Sequence, residues 1–305
     1  MKGIRIMIEG IQAHTLPERI TRFYKELTPK SRIIGNYIKE NPRKAVFMTV
    51  AELSKACEVS EATVVRFVGQ LGYEGYADFQ QSLRDFVDTE LTLLDRVDLT
   101  DMLEPGAARL RRVVSQEIEN LRQFYEHADI EQMERVVSLL YDRPQIFVIG
   151  SRLSYTLSYY LGWSLTKVRG GIQILKGSDK TTIDWLTIAP ADSLVVVIAL
   201  SRYPNELIRL AKLAKRLGHV LVVMTDSSAC PIIPEADESL VAPSPHIPLI
   251  GTPTALSCLT NYLTMELASR YGDDLKKHQE KLEQSYWEND VLFSIKKLKD
   301  LQRES

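Results

Sequence analysis

Two short loops of this sequence place an arginine among hydroxyl groups, directly after an apolar run. The first loop reads GSRLS over Gly150–Ser154, and the second reads SRYPNE over Ser201–Glu206. The guanidinium groups of Arg152 and Arg202 can bind a carboxylate or a phosphate through two parallel hydrogen bonds. A helical pattern begins after each loop, and the free N–H groups at the start of a helix favour an anion. The two loops therefore predict a site for a small anionic metabolite, although internal salt bridges or interface contacts of the arginines remain the alternative.

Patterns for catalysis and for metal binding are weak. Cys57, Cys230 and Cys258 share no CxxC or Cys/His spacing, which argues against a structural zinc and favours a reduced, cytoplasmic setting. His246 stands alone in a loop, where a histidine is more often a surface residue than a catalytic base. The sequence has no P-loop, G-x-S-x-G elbow or H-x-x-x-H pair. We expect no enzyme activity, no metal and no cofactor, and we expect Asp226 to form a cap or a loop.

The stretch 49–73, TVAELSKACEVSEATVVRFVGQLGY, contains the signals of two short capped helices. Thr49 and Glu52 have the spacing of a capping box, Ser60 is placed to cap the second helix, and Gly72 is placed to end it. The turn CEVS between the helices is too short for anything but a tight crossing. This is the geometry of helix-turn-helix DNA binding.

The second of these helices is predicted to have a polar outer face. At 100° per residue, Val64 and Val65 fall on the apolar side, Thr63 and Arg66 fall on the other, and Phe67 lies at the edge. An arginine that only solvates a helix face is the alternative, but the cap spacing, the tight turn and the polar stripe together favour DNA contact. The candidate contacts to a double-stranded DNA operator are Ser60, Glu61, Thr63, Arg66 and Gln70.

From Gln145 onward, short apolar runs alternate with helical segments. The runs QIFVIG, GIQIL, DSLVVVIAL and HVLVVMTD are rich in β-branched residues, and a shorter run covers Glu238–Ala242. This alternation indicates a parallel sheet that is covered on both faces. The predicted fold class is an all-α helix-turn-helix head joined to an α/β body with a doubly wound parallel sheet. The loops Ser151–Ser154, Ser201–Tyr203 and Thr252–Thr254 should converge at the carboxyl edge of that sheet.

An apolar stripe with helical period lies between the head and the body. It either packs on its own domain or forms a contact between copies of the chain, and both interpretations stay open. One short recognition helix reads few base pairs, so we expect a homodimer or a homotetramer. The stripe consists of Leu110, Val113, Val114, Ile118, Leu121, Phe124 and Tyr125.

The stretch TVAELSKACEVSEATVVRFVGQLGYEGYADFQQSL resembles the helix-turn-helix head of the RpiR family of bacterial regulators. That family joins such a head to a sugar-isomerase-type (SIS) body, a doubly wound sheet that binds phosphosugars or related small molecules. The resemblance covers about 29–293 and implies a ligand-responsive, DNA-binding transcriptional regulator. In the body it implies Ser151, Ser154, Ser201 and Thr254 as ligand contacts. The residues that carry it in the head are Ala51, Leu53, Val59, Ser60, Thr63, Val64, Arg66, Phe67, Leu71, Gly72, Gly75 and Phe79.

The body departs from the SIS pattern in two loops. The usual phosphate loop reads like Ser-x-Ser-Gly-x-Thr, whereas this chain has SRYPN from Ser201, without the glycine and with fewer hydroxyl groups. In the first loop, Arg152 replaces a usual glycine. The expected ligand is therefore a small anionic metabolite: a phosphosugar, a sugar acid or another carboxylate. The full set of candidate ligand contacts is Ser151, Arg152, Ser154, Ser201, Arg202, Tyr203, Thr252 and Thr254.

Two other function classes fit parts of the sequence. A sugar-phosphate isomerase-like enzyme with a helical extension would use the body, but it has no use for a recognition helix at Ser60–Leu71. An SIS-type binding module could instead use its head to contact another protein rather than DNA. DNA selection experiments separate both classes from a regulator.

The composition suits two globular domains, with 305 residues, 45% hydrophobic and 26% charged. The first 87 residues carry a small excess of basic over acidic side chains, which permits a nucleic-acid contact. No apolar run reaches the roughly 20 residues of a membrane span, so a cytoplasmic protein without membrane contact is expected. We expect a helix-turn-helix domain over 1–87, a helical linker over 88–142, an SIS-type ligand-binding domain over 143–293 and a C-terminal tail over 294–305.

Overall fold

The structure is a computed structural model, and it describes residues 16–46, 48–90, 106–242 and 253–293. The chain forms two compact units, which divide between Arg111 and Arg112. The expected domain boundaries stay predictions. The two units are described separately below.

The first unit is helical, as predicted. The side chain of Thr28 caps helix α2 (Pro29–Glu40) by accepting the N–H of Ser31, and Pro29 is the first residue of that helix. The apolar faces of the helices meet in one core, in which the rings of Phe67 and Phe79 pack edge to face with centroids 6.1 Å apart. The helices are α1 (Leu16–Phe23), α2 (Pro29–Glu40), α3 (Pro42–Ala45), α4 (Val50–Ala56), α5 (Glu61–Gln70) and α6 (Tyr76–Glu90).

The second unit is built on a parallel sheet, which confirms the predicted fold class. The strands are β1 (Ile146–Gly150), β2 (Ile172–Lys176), β3 (Leu194–Ala199), β4 (Val220–Thr225) and β5 (Glu238–Val241). In the described residues their order in the sheet is β2-β1-β3-β4-β5, and every residue of β1 and β3 is buried. The register pairs Ile146 with Ile172 on one side and with Leu194 on the other.

Helices cover both faces of this sheet. Val196 of β3 belongs to one hydrophobic core and the adjacent Val195 to another, because successive side chains of a strand point to opposite faces. The helices of this unit are α8 (Ile130–Asp142), α9 (Leu153–Thr166), α10 (Thr181–Ile188), α11 (Asn205–Arg216), α12 (Thr254–Tyr271) and α13 (Asp273–Glu288), and the division between the units falls within α7 (Gly106–Glu126). Helices α10 and α13 were not predicted: α10 is short, with 8 residues, and α13 buries none of its side chains.

The direction of winding reverses between β1 and β3. From β1 the chain passes to β2 on one side, and it then returns to β3 on the other side of β1. In doubly wound sheets, the carboxyl ends of the two strands at this switch point form the crevice that binds ligands. The fold therefore brings the first two predicted loops to one place.

The apolar stripe of α7 is divided between burial and exposure. Phe124 packs against the core of the second unit, and Val113 and Leu121 are partly buried. Leu110, Val114, Ile118 and Tyr125 are between 49% and 82% exposed. Internal packing thus accounts for one part of the stripe, and the exposed part is free to contact a partner.

Candidate functional site

Helices α4 and α5 are joined by the tight turn that the sequence predicted. The backbone N–H of Thr49 donates to Glu52 Oε2 at 2.8 Å, and the N–H of Glu52 donates to Thr49 Oγ1 at 3.2 Å, which confirms the capping box. In the turn, Glu58 adopts a left-handed backbone with φ 53°. The N–H of Val59 then bonds to the carbonyl of Ser54 at 2.9 Å. These contacts fix where α5 begins.

The inner face of α5 differs from the prediction at Thr63. The outward position predicted for Thr63 is wrong, since this side chain is 6% exposed beside the buried Val64 and Phe67. Thr63 Oγ1 lies 2.8 Å from Ser60 Oγ, so each hydroxyl is paired within the protein. Ser60 occupies the N-cap position but makes no capping bond to a backbone N–H. Phe67, expected at the edge of the polar stripe, is fully buried because it fills the centre of the helical core.

The outer face of α5 presents Glu61, Val65, Arg66 and Gln70. Arg66 Nε donates to the carbonyl of Ala62 at 3.2 Å, which holds the stem of the side chain along the helix. Gln70 Oε1 accepts from a serine of α2 at 3.0 Å, and its amide group keeps its donors. Val65, expected on the apolar side, is 57% exposed. The sequence signal for this residue was ambiguous, because a valine at the border of the stripe fits either face.

The loop after β1 is a buried serine turn. Ser154 Oγ accepts the backbone N–H of Ser151 at 3.0 Å and donates to the carbonyl of Ser151 at 2.8 Å. A Cβ atom on Gly150 would lie 2.4 Å from the carbonyl oxygen of Ser154, so only glycine permits this approach of α9 to the strand. Ser151 and Ser154 are each 2% exposed. The Ser154 hydroxyl is therefore used to build the loop, and Ser151 is buried beside it.

The loop after β3 is held by Asp226 at the end of β4. The backbone N–H of Ser201 lies 2.9 Å from both carboxylate oxygens of Asp226. Burial raises the pKa of Asp226, and the bonds from Ser201 oppose that rise. This confirms Asp226 as a loop former. Pro204 lies at the N-cap of α11, one residue before the helix begins at Asn205.

The hydroxyl groups of the second loop lie inside it. Ser201 Oγ and the Tyr203 hydroxyl are buried, and neither has a well-formed hydrogen bond in the described part of the chain. Burial, followed by the neighbouring Asp226, raises the pKa of Tyr203. The tyrosine ring packs against the core below the loop. Tyr203 therefore supports the loop from beneath.

The two arginines have the same unusual backbone. Arg152 has φ 54° and Arg202 has φ 66°, in the left-handed region that favours glycine. Both side chains are exposed, and the structure gives neither guanidinium a hydrogen bond or ion pair with a described residue. An arginine in this conformation costs about 1 kcal/mol or more relative to glycine. Neither arginine forms a close salt bridge with a described residue, although the charge of Arg152 acts on the nearby Glu206, and interface contacts stay an open alternative.

A hydrogen bond crosses the switch point and joins the two loops. Ser151 Oγ, after β1, donates to Glu206 Oε1, in the first turn of α11, at 2.7 Å. The end of β2 packs at the same place, because a Cβ on Gly177 would lie 2.6 Å from a methyl group of Leu207 and 3.3 Å from Ser151 Cβ. Glu206 was absent from the predicted site. The loop quoted in the sequence ended on it, but only the fold places it opposite Ser151.

The third predicted loop is described in part. Thr254 is the first residue of α12, after Pro253 at its N-cap, and it is partly buried. Thr252 and His246 lie outside the described residues, so the convergence of this loop with the other two stays a prediction. Within the ranges described, no group of His, Cys, Asp and Glu side chains could hold a metal ion. No helix in those ranges is both long and apolar enough to cross a membrane.

Comparison with known families and proteins gives concordant results. The rpiR-family helix-turn-helix model matches residues 14–90, and the SIS domain model matches residues 139–268. The HTH-type transcriptional regulator HexR of Pseudomonas aeruginosa is 25% identical over 276 residues, covering 88% of this chain and 95% of HexR. An uncharacterized HTH-type transcriptional regulator of Haemophilus influenzae is 27% identical, covering 73% of this chain and 78% of the relative. A bifunctional protein glk of Paraburkholderia xenovorans is 25% identical, covering 69% of this chain but 33% of that protein.

Solved structures show the same fold. The Vibrio vulnificus NanR protein complexed with ManNAc-6P has a TM-score of 0.56 at 22% identity, covering 92% of this chain and 100% of NanR. The sugar isomerase domain of an RpiR transcription factor from Sphaerobacter thermophilus has a TM-score of 0.55 at 23% identity, covering 57% of this chain and 97% of that domain. At these identities the likeness concerns the fold alone.

Proposed function

Because the chain belongs to the RpiR family of helix-turn-helix transcriptional regulators with an SIS body, we propose that its affinity for DNA responds to a small anionic metabolite. In this proposal α5 binds a double-stranded DNA operator, and a homodimer or homotetramer presents two or more copies of α5. The metabolite binds at the switch point of the sheet. Its binding favours one arrangement of the oligomer.

The outer face of α5 supports the DNA contact. Arg66 and Gln70 carry donors of the kind that read base edges in the major groove, and the exposed methyl groups of Val65 can contact the methyl group of thymine. Purified full-length protein should select one operator from a random library of double-stranded DNA, and the operator should have two-fold symmetry. Absence of any enriched sequence would favour the alternative in which the head contacts a protein.

The observation that carries the ligand proposal is the pair of exposed arginines beside the switch point. Arg152 and Arg202 keep a left-handed backbone at the carboxyl ends of β1 and β3. Forked donors at a ligand crevice suit a carboxylate or a phosphate. NanR, which shares the fold, is described in complex with ManNAc-6P, and this precedent supports an anionic ligand.

We propose no catalytic step for this site. HexR and the relative from Haemophilus influenzae are both named as transcriptional regulators, which supports a non-enzymatic role. An isomerase would convert a sugar phosphate in the absence of DNA. Incubation of the protein with ketose and aldose phosphates, followed by product analysis, should therefore show no interconversion.

A double variant tests the coupling between ligand and DNA. Arg152→Ala with Arg202→Ala should abolish the effect of the metabolite on operator affinity, while the affinity without ligand stays nearly unchanged. A coupling of about 1–3 kcal/mol corresponds to a change of about 5- to 150-fold in wild-type affinity. The control is Arg216→Ala with Lys281→Ala, which removes two exposed positive charges elsewhere in the second unit. If no phosphosugar, sugar acid or amino acid gives an effect that depends on either arginine, the ligand proposal is wrong.

A further inference from the structure

We propose that Glu206 determines the ligand specificity of this site, and that it makes the body select a polyhydroxylated carboxylate, such as a sugar acid, over a phosphate ester. This inference rests on the proposed function, because it concerns the same crevice between β1 and β3. It goes further by naming the side chain that makes the site prefer a carboxylate to a phosphate ester. Three features of Glu206 carry it.

The first feature is position. Glu206 lies in the first turn of α11, where the free N–H groups of a helix would otherwise attract an anionic group of a ligand. Its carboxylate reaches across the switch point to accept from Ser151 Oγ at 2.7 Å. The chain therefore supplies its own anion where the fold would otherwise favour a phosphate.

The second feature is charge. The hydrogen bond from Ser151 is the main cause that holds the pKa of Glu206 below its ordinary value, followed by a bond from its own backbone N–H; burial opposes the shift, and Arg209 and Arg152 add smaller contributions. The side chain is therefore ionised at neutral pH. A phosphate monoester is mostly a dianion at that pH, so the two groups would repel each other if they shared this end of the crevice.

The third feature is hydrogen-bonding type. An ionised carboxylate only accepts hydrogen bonds, and so does a phosphate dianion, whereas a sugar hydroxyl can donate one. Glu206 is partly exposed, so it can accept from a ligand while it keeps its bond to Ser151. Arg152 and Arg202 remain available for a carboxylate through their forked donors. The two guanidinium groups and the Glu206 carboxylate leave one positive charge in excess, which a carboxylate balances and a phosphate dianion exceeds. The arrangement thus fits a ligand that has a carboxylate at one end and hydroxyl donors at the other.

The test compares Glu206→Gln with the wild-type protein by calorimetric titration. The probes are gluconate, glucuronate, glucose 6-phosphate, fructose 6-phosphate and inorganic phosphate. The amide keeps an acceptor for Ser151 and removes the charge, so affinity for the phosphates should rise by about tenfold or more relative to that for the sugar acids. The matched control is Glu131→Gln, which removes an exposed charge from the first turn of α8. Thermal unfolding checks that each variant is folded, and Glu206→Ser provides a second neutral variant.

Each outcome decides one point. A gain in phosphate affinity in both neutral variants at position 206, but not in Glu131→Gln, supports the inference. If neither gains affinity for a phosphate while some probe still binds in a way that depends on Arg152 or Arg202, the inference is wrong and the proposed function stands. If no probe binds in a way that depends on these arginines in any variant, both are wrong.

Discussion

Arg66 is the exposed residue of α5 with the strongest chemistry for reading a base. We expect Arg66→Ala to weaken binding to the selected operator by about 1–3 kcal/mol, because a forked donor to a guanine edge would be lost. Thermal stability should change little, since the bond that the guanidinium makes with the described residues goes to a carbonyl of its own helix. Mobility-shift titration at fixed salt measures the loss. Arg216→Ala, which removes an exposed charge from the second unit, should leave the affinity unchanged, and equal affinities for all three proteins would remove Arg66 from the interface.

Glu206 should also make the stability of the second unit depend on pH. Its pKa is lowered in the folded state, so its contribution to stability is present above the ordinary value of 4.5 and is lost as the pH falls through the lowered pKa. We therefore expect the wild-type protein to be more stable than Glu206→Gln at neutral pH, and the difference to shrink below pH 4.5. Urea unfolding at several pH values measures it. A difference that is constant with pH would contradict the ionised Ser151–Glu206 contact.

At the scale of elements, the packing of α9 against the end of β1 depends on Gly150. A methyl group there would overlap the backbone carbonyl of Ser154, which cannot move without the helix. We expect Gly150→Ala to destabilise the second unit by about 1–3 kcal/mol in urea unfolding. Gly170 is the matched control, because no atom of the described residues lies within 4 Å of the Cβ that alanine would add there. Equal effects of the two substitutions would contradict the close approach.

At the scale of the whole molecule, we expect assembly into a dimer or a larger oligomer through the exposed part of the α7 stripe. Ile118 is 61% exposed, and Ile118→Ser should raise the dissociation constant about tenfold or more, because burial of such a side chain contributes about 1.5–3 kcal/mol. Sedimentation equilibrium at micromolar concentration measures the assembly. Glu119→Ser changes an exposed polar neighbour on the same helix and should have little effect. A monomer mass for the wild-type protein would contradict the expectation.

Several features of the molecule could be determined from the sequence because their signals are local. The capping box of α4 needs only Thr49 and Glu52, three residues apart. The buried strands appear as continuous apolar runs, and their alternation with helices indicates a parallel sheet. The carboxyl ends of these strands then indicate where Arg152 and Arg202 lie, since a parallel sheet collects such ends at one edge.

Other features depended on the tertiary structure. The helical period does not decide whether a residue at the border of an apolar stripe is buried or exposed. Packing against the helical core decided it here, because Thr63 is buried and Val65 is exposed. The contact between Ser151 and Glu206 joins residues 55 positions apart, and no local pattern encodes such a pair. It exists because the strand order places β3 beside β1, so that the loop after one strand meets the first turn of the helix after the other.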